Sequence, residues 1–231
     1  MEYDAIIVGA SFAGLAVASE LKGNVLLLDR KGIGKFQTSA CSTLYDLAKE
    51  ISKKSILQKF DNTTLHTANK EIKIDLKYPY CTIDYEMFCK DFFKKSFTEF
   101  KIAKVTGYNK KEGVITDKGN FKSDCIIDCS GWNAVIASSL RKGFVNKKMM
   151  SFGIETDIEY KDKSLRFFAN KNIIKDGAAW LFPIGKKSRF GIASYLGRTK
   201  ILDELKNFVN MHGLKIDKVY GGYFPYCLRD C

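Results

Sequence analysis

The segment Gly9–Gly14 constrains this chain most, because it separates an apolar run from a helical one through a turn of small residues. Ala5–Val8 is an apolar run of strand length, and residues 15–21 have helical character. Residues 24–28 form a second apolar run. Continuous apolar strands on either side of a helix are typical of a parallel β-α-β unit. The sequence therefore predicts that the chain begins as an α/β domain with a parallel sheet.

The same turn predicts a binding site for a nucleotide diphosphate. Gly9 permits a tight turn and Gly14 lets the helix approach the strand, so free N–H groups at the helix N-terminus face the pyrophosphate. Ser11 stands where a middle glycine is usual, and its hydroxyl offers a further donor. Asp29 ends the second strand, where an acid binds ribose hydroxyls and favours FAD or NAD over NADP. The alternative is a structural turn that binds no ligand.

Two further segments have both a functional and a structural interpretation. Residues 126–133 place Asp128, small residues and a short helix after a buried strand, which is either a second binding turn or an ordinary strand-to-helix connection. In residues 178–184, alternation puts Trp180 and Phe182 on one face of a strand. These two aromatic side chains either line an apolar substrate pocket or belong to the core of a sheet.

The order of elements predicts two domains. Residues 1–148 form an α/β domain with a small β insertion near 61–80, and residues 149–231 form a predominantly antiparallel sheet. Within the first domain, residues 43–60 have the pattern of a helix. We expect the second domain to cover a ligand-binding face of the first.

The charge pattern favours a solvated lysine-rich surface over a nucleic-acid interface. The formal net charge is +12, from 38 Lys and Arg against 26 Asp and Glu. The lysines are scattered along the whole chain and no aromatic-basic motif accompanies them, so no nucleic-acid partner is predicted. Attraction to anionic lipid headgroups remains open. The N-terminus has no signal-peptide pattern and no run is long enough to span a bilayer, so a cytoplasmic protein is expected.

The cysteine pattern argues against a metal site. Seven cysteines and two histidines include no C-x-x-C pair, so a zinc site or a redox dithiol is not predicted. Most of the thiols are expected to be reduced and small core residues. Cys227 and Cys231 are close enough in sequence to pair, but the sequence alone does not decide between a disulfide and two thiols.

Taken in order, these segments resemble the geranylgeranyl reductase family within the para-hydroxybenzoate hydroxylase-like flavoproteins, over essentially the whole chain. The matching segments are residues 8–14, 28–30, 33–34 leading to Cys41, 84–88 and 128–132. The most specific match is the pattern Y-x-W-x-F-P followed by G-x-G, to which Trp180, Phe182, Pro183 and Gly191 conform. Ala178 and Ala193 replace the tyrosine and the last glycine. Residues 219–225 resemble the strand that leads back to the flavin.

The resemblance implies an α/β chain with a Rossmann-like FAD-binding domain and an antiparallel substrate domain. The implied cofactor is FAD. The implied contacts to it come from Gly9, Ala10, Ser11, Phe12, Ala13, Gly14, Asp29, Arg30, Val105, Asp128 and Gly131. Cys41 is the implied catalytic-site residue, with a buried structural thiol as the alternative, while Trp180 and Phe182 would line the substrate cavity.

The implied activity is reduction of isolated C=C bonds in isoprenoid chains, as in archaeal-type lipid biosynthesis. Its partners would be an isoprenoid or lipid substrate, an electron donor such as NAD(P)H or ferredoxin, and, peripherally, a membrane surface. The chain stops at Cys231, before the third flavin motif of the family, so we expect it to be C-terminally incomplete. The alternatives are a flavin-dependent monooxygenase or halogenase on the same scaffold, and a non-catalytic remnant that no longer holds FAD.

Overall fold

A computed structural model describes residues 2–37 and 40–225, and the chain divides into two compact units. Unit 1 contains the residues up to Phe36 together with Tyr85–Asn146, and unit 2 contains Gln37–Asp84 together with the chain from Lys147 on. The structure divides the chain after residues 36, 84 and 146, whereas the sequence analysis placed one boundary, after residue 148. The stretch 37–84, which the sequence analysis assigned to the first domain, belongs instead to unit 2.

The helices and strands alternate along the chain. In order they are β1 (Glu2–Val8), α1 (Phe12–Glu20), β2 (Val25–Asp29), β3 (Ser42–Leu44), α2 (Tyr45–Ser52), β4 (Ile56–Thr67), β5 (Glu71–Ile83), α3 (Tyr85–Phe93), β6 (Glu99–Ile102), β7 (Val105–Asn109), β8 (Gly113–Thr116), β9 (Gly119–Asp128), α4 (Val135–Leu140), β10 (Met150–Ile158), β11 (Leu165–Ala169), β12 (Gly177–Ile184), β13 (Lys187–Ser194), α5 (Leu202–Asn210) and β14 (Tyr220–Pro225).

Unit 1 is built on a sheet with the strand order β6-β2-β1-β9-β8-β7, in which the first four strands are parallel. Val8 pairs with both Leu28 and Asp128, so β1, β2 and β9 end at the same edge. Fully buried Ile6 and Leu26 belong to the core of this sheet. This is the parallel β-α-β arrangement that the two apolar runs predicted, and its strand-end edge is where ligands bind in open α/β sheets.

Unit 2 contains an eight-stranded sheet with the order β14-β10-β13-β12-β11-β4-β5-β3. All of its pairs are antiparallel except that of β11 with β4. One face is covered by α5, whose Leu205 and Phe208 pack with Phe190 and Ile192 in a fully buried core. The alternate residues of each strand therefore point to the other face of the sheet.

The predicted helix over residues 43–60 was wrong in its second half. The helix α2 ends at Ser52, and Ile56–Thr67 forms β4, which pairs with β5 on one side and with β11 on the other. The bonds to β5 reach the next strand along the chain and those to β11 reach residues 165–169, so a helical pattern in one local window cannot register them. The same pairing explains why the stretch 37–84 belongs to unit 2.

Within the described residues, no helix has both the length and the apolar character needed to cross a bilayer. Over the same residues, no cluster of three or more His, Cys, Asp or Glu side chains is arranged to hold a metal ion. Cys227 and Cys231 lie outside the described residues.

Candidate functional site

The glycine turn, Gly9–Gly14, is shaped by two close backbone approaches. Gly9 has a φ of +109°, and a Cβ there would lie 2.2 Å from the carbonyl oxygen of Cys129. A Cβ on Gly14 would lie 1.7 Å from the carbonyl oxygen of Gly9. Neither distance is compatible with a side chain, so both positions require glycine. The turn is therefore packed against the ends of β1 and β9.

The start of α1 presents backbone donors at this turn. The first helical hydrogen bond is donated by the Leu15 N–H to the Ser11 carbonyl at 2.9 Å. The amides of residues 12–14 therefore have no acceptor within the helix. Ser11 is the N-cap, but its hydroxyl makes no capping bond and lies 3.1 Å from the Tyr85 hydroxyl. Phe12 packs edge-on against Tyr85 and Phe88. Both side chains thus join α1 to α3, and the donors at the turn are backbone amides.

Asp29 lies beside the glycine turn. Its Oδ2 accepts the Ala10 N–H at 2.8 Å and its Oδ1 accepts the Lys31 N–H at 2.9 Å. An ionised carboxylate has about four acceptor positions, so these two bonds leave capacity for two hydroxyl donors. The carboxylate is half-buried and anchored, whereas the neighbouring Arg30 is exposed. Amides before the helical ladder and an adjacent anchored acceptor form a donor and acceptor set that fits a diphosphate joined to a ribose.

Asp128 holds the loop that follows β9. Its Oδ1 accepts the backbone N–H and the hydroxyl of Ser130, at 3.1 and 2.5 Å. Its Oδ2 accepts the N–H groups of Ile136 and Ala137 in the first turn of α4, at 2.9 and 3.1 Å. These four bonds occupy the acceptor positions of the carboxylate, so the contacts give Asp128 the role of a helix cap. Gly131 lies in this loop with a φ of +72°, where a left-handed backbone favours glycine.

The remaining predicted site residues lie partly in unit 1 and partly in unit 2. Val105 begins β7 and packs against the core of unit 1, pairing with Thr116. In unit 2, Cys41 is buried with a φ of +56°, and its carbonyl accepts the Ile83 N–H at 3.0 Å. Phe182 is buried with Phe60 and Leu165 in a small cluster against which Trp180 packs. The glycine turn, Asp29 and Asp128 thus lie at one sheet edge of unit 1, whereas Cys41, Trp180 and Phe182 belong to unit 2.

A row of paired residues crosses the face of the unit 2 sheet opposite α5. We call it the polar row: Trp180 on β12 pairs with Gly191 on β13, which pairs with Glu155 on β10, which pairs with Tyr220 on β14. A Cβ on Gly191 would lie 2.2 Å from the Trp180 indole, so the glycine lets the indole lie against the strand. The indole Nε1–H reaches across β13 and donates to Glu155 Oε1 at 2.9 Å.

An ion pair with a buried guanidinium lies next to the polar row. Arg189 donates through Nε and Nη2 to the two oxygens of Asp157, at 2.8 and 3.0 Å, and through Nη1 to the Ala40 carbonyl at 2.8 Å. The Tyr220 hydroxyl donates to Asp157 Oδ1 at 2.7 Å. Burial raises the pKa of Tyr220 above its ordinary value, so the phenol remains a donor.

Glu155 is the member of the polar row that carries a buried carboxyl oxygen without a partner among the described residues. It is 3% exposed, and its Oε2 is buried without a partner. Burial raises the pKa of this carboxyl to about 7, against the opposing effects of the Arg189 charge and the Trp180 hydrogen bond. Sequence reasoning missed Glu155, Asp157 and Arg189. The available signal was their period-two spacing with Gly153 and Gly191, which places charged residues on a face that also carries small ones.

Comparison with known proteins identifies the fold. No family model and no curated protein matches the sequence. Among solved structures, a geranylgeranyl bacteriochlorophyll reductase-like protein from Thermoplasma acidophilum superposes with a TM-score of 0.85 at 15% identity, covering 97% of this chain and 66% of that one. The flavin-dependent brominase Bmp2 gives a TM-score of 0.70 at 15% identity, with 97% and 66% coverage. CtdE in complex with FAD gives 0.58 at 17% identity, with 84% and 59% coverage.

These proteins are so distant in sequence from this chain that the superpositions show a shared fold and no more. The chain spans slightly less than two thirds of the length of the solved structures with which it superposes. Both units are included in the superposition, because 97% of this chain is covered. The chain therefore has the two-part α/β fold found in a geranylgeranyl reductase-like protein and in flavin-dependent halogenases.

Proposed function

We propose that unit 1 binds FAD and that the chain belongs to a flavin-dependent oxidoreductase. The observation that carries this proposal is the anchored Asp29 carboxylate beside the glycine turn, next to the amides of residues 12–14, which precede the first helical hydrogen bond of α1. Two of the superposed proteins, PltM and CtdE, have been solved with FAD, which supports the same cofactor here. In this proposal the amides hold the pyrophosphate and Asp29 accepts hydrogen bonds from the ribose hydroxyls.

FAD titration of the purified protein tests the proposal. Asp29→Ala removes the acceptor and is expected to weaken FAD binding by about 10- to 100-fold, because hydrogen bonds to a charged group contribute about 1.5–3 kcal/mol. Asp124→Ala is the matched control, since Asp124 is exposed on β9 of the same unit. Circular dichroism checks that both variants fold. A colourless protein that fails to take up added FAD would instead favour a non-catalytic remnant.

For the reaction, we propose reduction of isolated C=C bonds in isoprenoid chains. Bound and reduced FAD would supply a hydride to one carbon of the double bond, and a proton would add to the other carbon. Support comes from the conformity of Trp180, Phe182, Pro183 and Gly191 to the aromatic pattern, and from the reductase-like neighbour in the structural comparison. The electron donor in this proposal is NAD(P)H or ferredoxin, and the basic surface assists peripheral contact with anionic lipid in the cytoplasm.

A second candidate reaction is oxygen-dependent hydroxylation or halogenation. It is favoured by the similarity of this chain to the halogenases Bmp2 and PltM, each of which superposes with a TM-score of 0.70. Anaerobic incubation of the chemically reduced protein with geranylgeranyl diphosphate separates the two reactions. Hydrogenated product without oxygen supports the reductase. Absence of that product, together with halide-dependent and oxygen-dependent turnover of a phenolic substrate, would support the alternative.

A further inference from the structure

Small residues line the sheet face beside Glu155. The row next to the polar row on the same face, which we call the small row, pairs Ala178 with Ala193, Ala193 with Gly153, and Gly153 with Gly222. A Cβ on Gly222 would meet no heavy atom within 4 Å, whereas one on Gly153 would lie 3.5 Å from the Phe224 ring, so this row is open at its Gly222 end. Four neighbouring strands thus carry no side chain larger than a methyl group at this level. Such a stripe alone specifies nothing, but an unpartnered polar atom lies at its edge.

The donors around Glu155 are already committed. Trp180 uses its single N–H on Oε1. Arg189 directs its guanidinium to Asp157 and to the Ala40 carbonyl, and Tyr220 directs its hydroxyl to Asp157. These are the charged and titratable groups that face Glu155 from β10, β13 and β14. None of them is bonded to Oε2, which therefore lacks a partner among the described residues.

The protonation of this carboxyl determines what Oε2 offers. Because Oε1 accepts the indole N–H, the proton of the neutral acid resides on Oε2, which is then an O–H donor without an acceptor. A buried donor without an acceptor destabilises the protein, so a ligand atom that accepts this bond lowers the free energy by binding. The acceptor must be uncharged or weakly basic, because the nearby Arg189 cation is already neutralised by Asp157.

We propose that Glu155 is a ligand-recognition residue, which donates a hydrogen bond from Oε2 to an uncharged oxygen of an apolar ligand lying over the small row. The apolar body of the ligand is expected on the Trp180 side of Glu155, where the polar row continues into Phe167, Leu65 and Ile72 on β11, β4 and β5. The choice of isoprenoid probes below rests on the proposed function, whereas the role of Glu155 rests on its unpartnered oxygen.

Two probes with similar chains and different heads test the proposal. Farnesylacetone carries a ketone oxygen and farnesene carries none. Binding is followed by the fluorescence of Trp180 in the full chain with Trp132→Phe, so that one tryptophan remains. At pH 6 we expect farnesylacetone to bind about three- to tenfold more tightly, the contribution of one hydrogen bond. Above pH 8 this preference is expected to vanish, because an ionised carboxylate cannot donate.

Two variants separate recognition from a structural role. Glu155→Gln is expected to keep the preference at both pH values, because its amide oxygen accepts from Trp180 while its NH₂ donates to the ketone. Glu155→Met is expected to lose the preference at both values. A wild-type protein that binds both probes equally, or a preference that survives in Glu155→Met, would overturn the role of Glu155 and leave the proposed function intact. Failure of the wild type to bind either probe would overturn both.

Discussion

The buried carboxyl of Glu155 makes a quantitative prediction about stability. Its pKa is raised from 4.5 to about 7 by burial, and at 3% exposure solvent screens little of that effect. Below pH 4.5 the acid is protonated in both folded and unfolded chains. Between pH 4.5 and about 7 the unfolded chain releases the proton while the folded chain keeps it, so the stability of the folded state falls through this window and then levels off.

The loss is about 3 kcal/mol, since each pKa unit corresponds to about 1.4 kcal/mol. Glu155→Gln cannot ionise and should not show it. We therefore expect the free energy of unfolding of the variant, relative to the wild type, to rise by about 3 kcal/mol between pH 4.5 and pH 7.5. Urea unfolding followed by Trp180 emission, with Trp132→Phe in both proteins, measures this difference in unit 2. If the difference in the free energy of unfolding stays constant across the pH range, the pKa of Glu155 is not raised in the folded protein.

Three further substitutions test the packing of the two units by denaturant unfolding. Gly14→Ala should destabilise unit 1 by about 3 kcal/mol or more, because its Cβ would lie 1.7 Å from a backbone oxygen; wild-type stability would contradict this. Asp128→Ala should cost about 2 kcal/mol through loss of the α4 cap, against no measurable change in Asp124→Ala. Asp157→Asn should cost about 3–5 kcal/mol by leaving the Arg189 charge poorly compensated, whereas Glu204→Gln, in a more exposed pair, should cost under about 1 kcal/mol; equal losses would count against this distinction.

The part of the fold that the sequence predicted is the part set by local pattern. The strand, turn, helix and strand from β1 to β2 follow from apolar runs and two glycines, and the structure confirms them. The contacts of Asp29 lie nineteen and two residues away, within the same β-α-β unit. A local sequence window contains all of this information, which is why the glycine turn and its neighbouring acid were found together.

The part that the sequence analysis missed depends on pairing between distant strands. Residues 56–60 joined a helical pattern in the sequence, but they form the first part of a strand that pairs with residues 80–83 of β5, and the later part of the same strand, residues 63–67, pairs with residues 165–169. Glu155 likewise became a candidate only when Gly191 and Trp180 were brought beside it by the register of three strands. Its buried, unpartnered oxygen is a property of that arrangement and not of any motif.

The central claim is that the amides of the glycine turn hold the diphosphate of FAD. Hydrogen–deuterium exchange of the protein with and without FAD measures this directly, peptide by peptide. We expect slower exchange on FAD addition in the peptide covering residues 9–15, with the same protection absent in Asp29→Ala at matched FAD concentration. Uptake of FAD with unchanged exchange in that peptide would show that the diphosphate is held elsewhere.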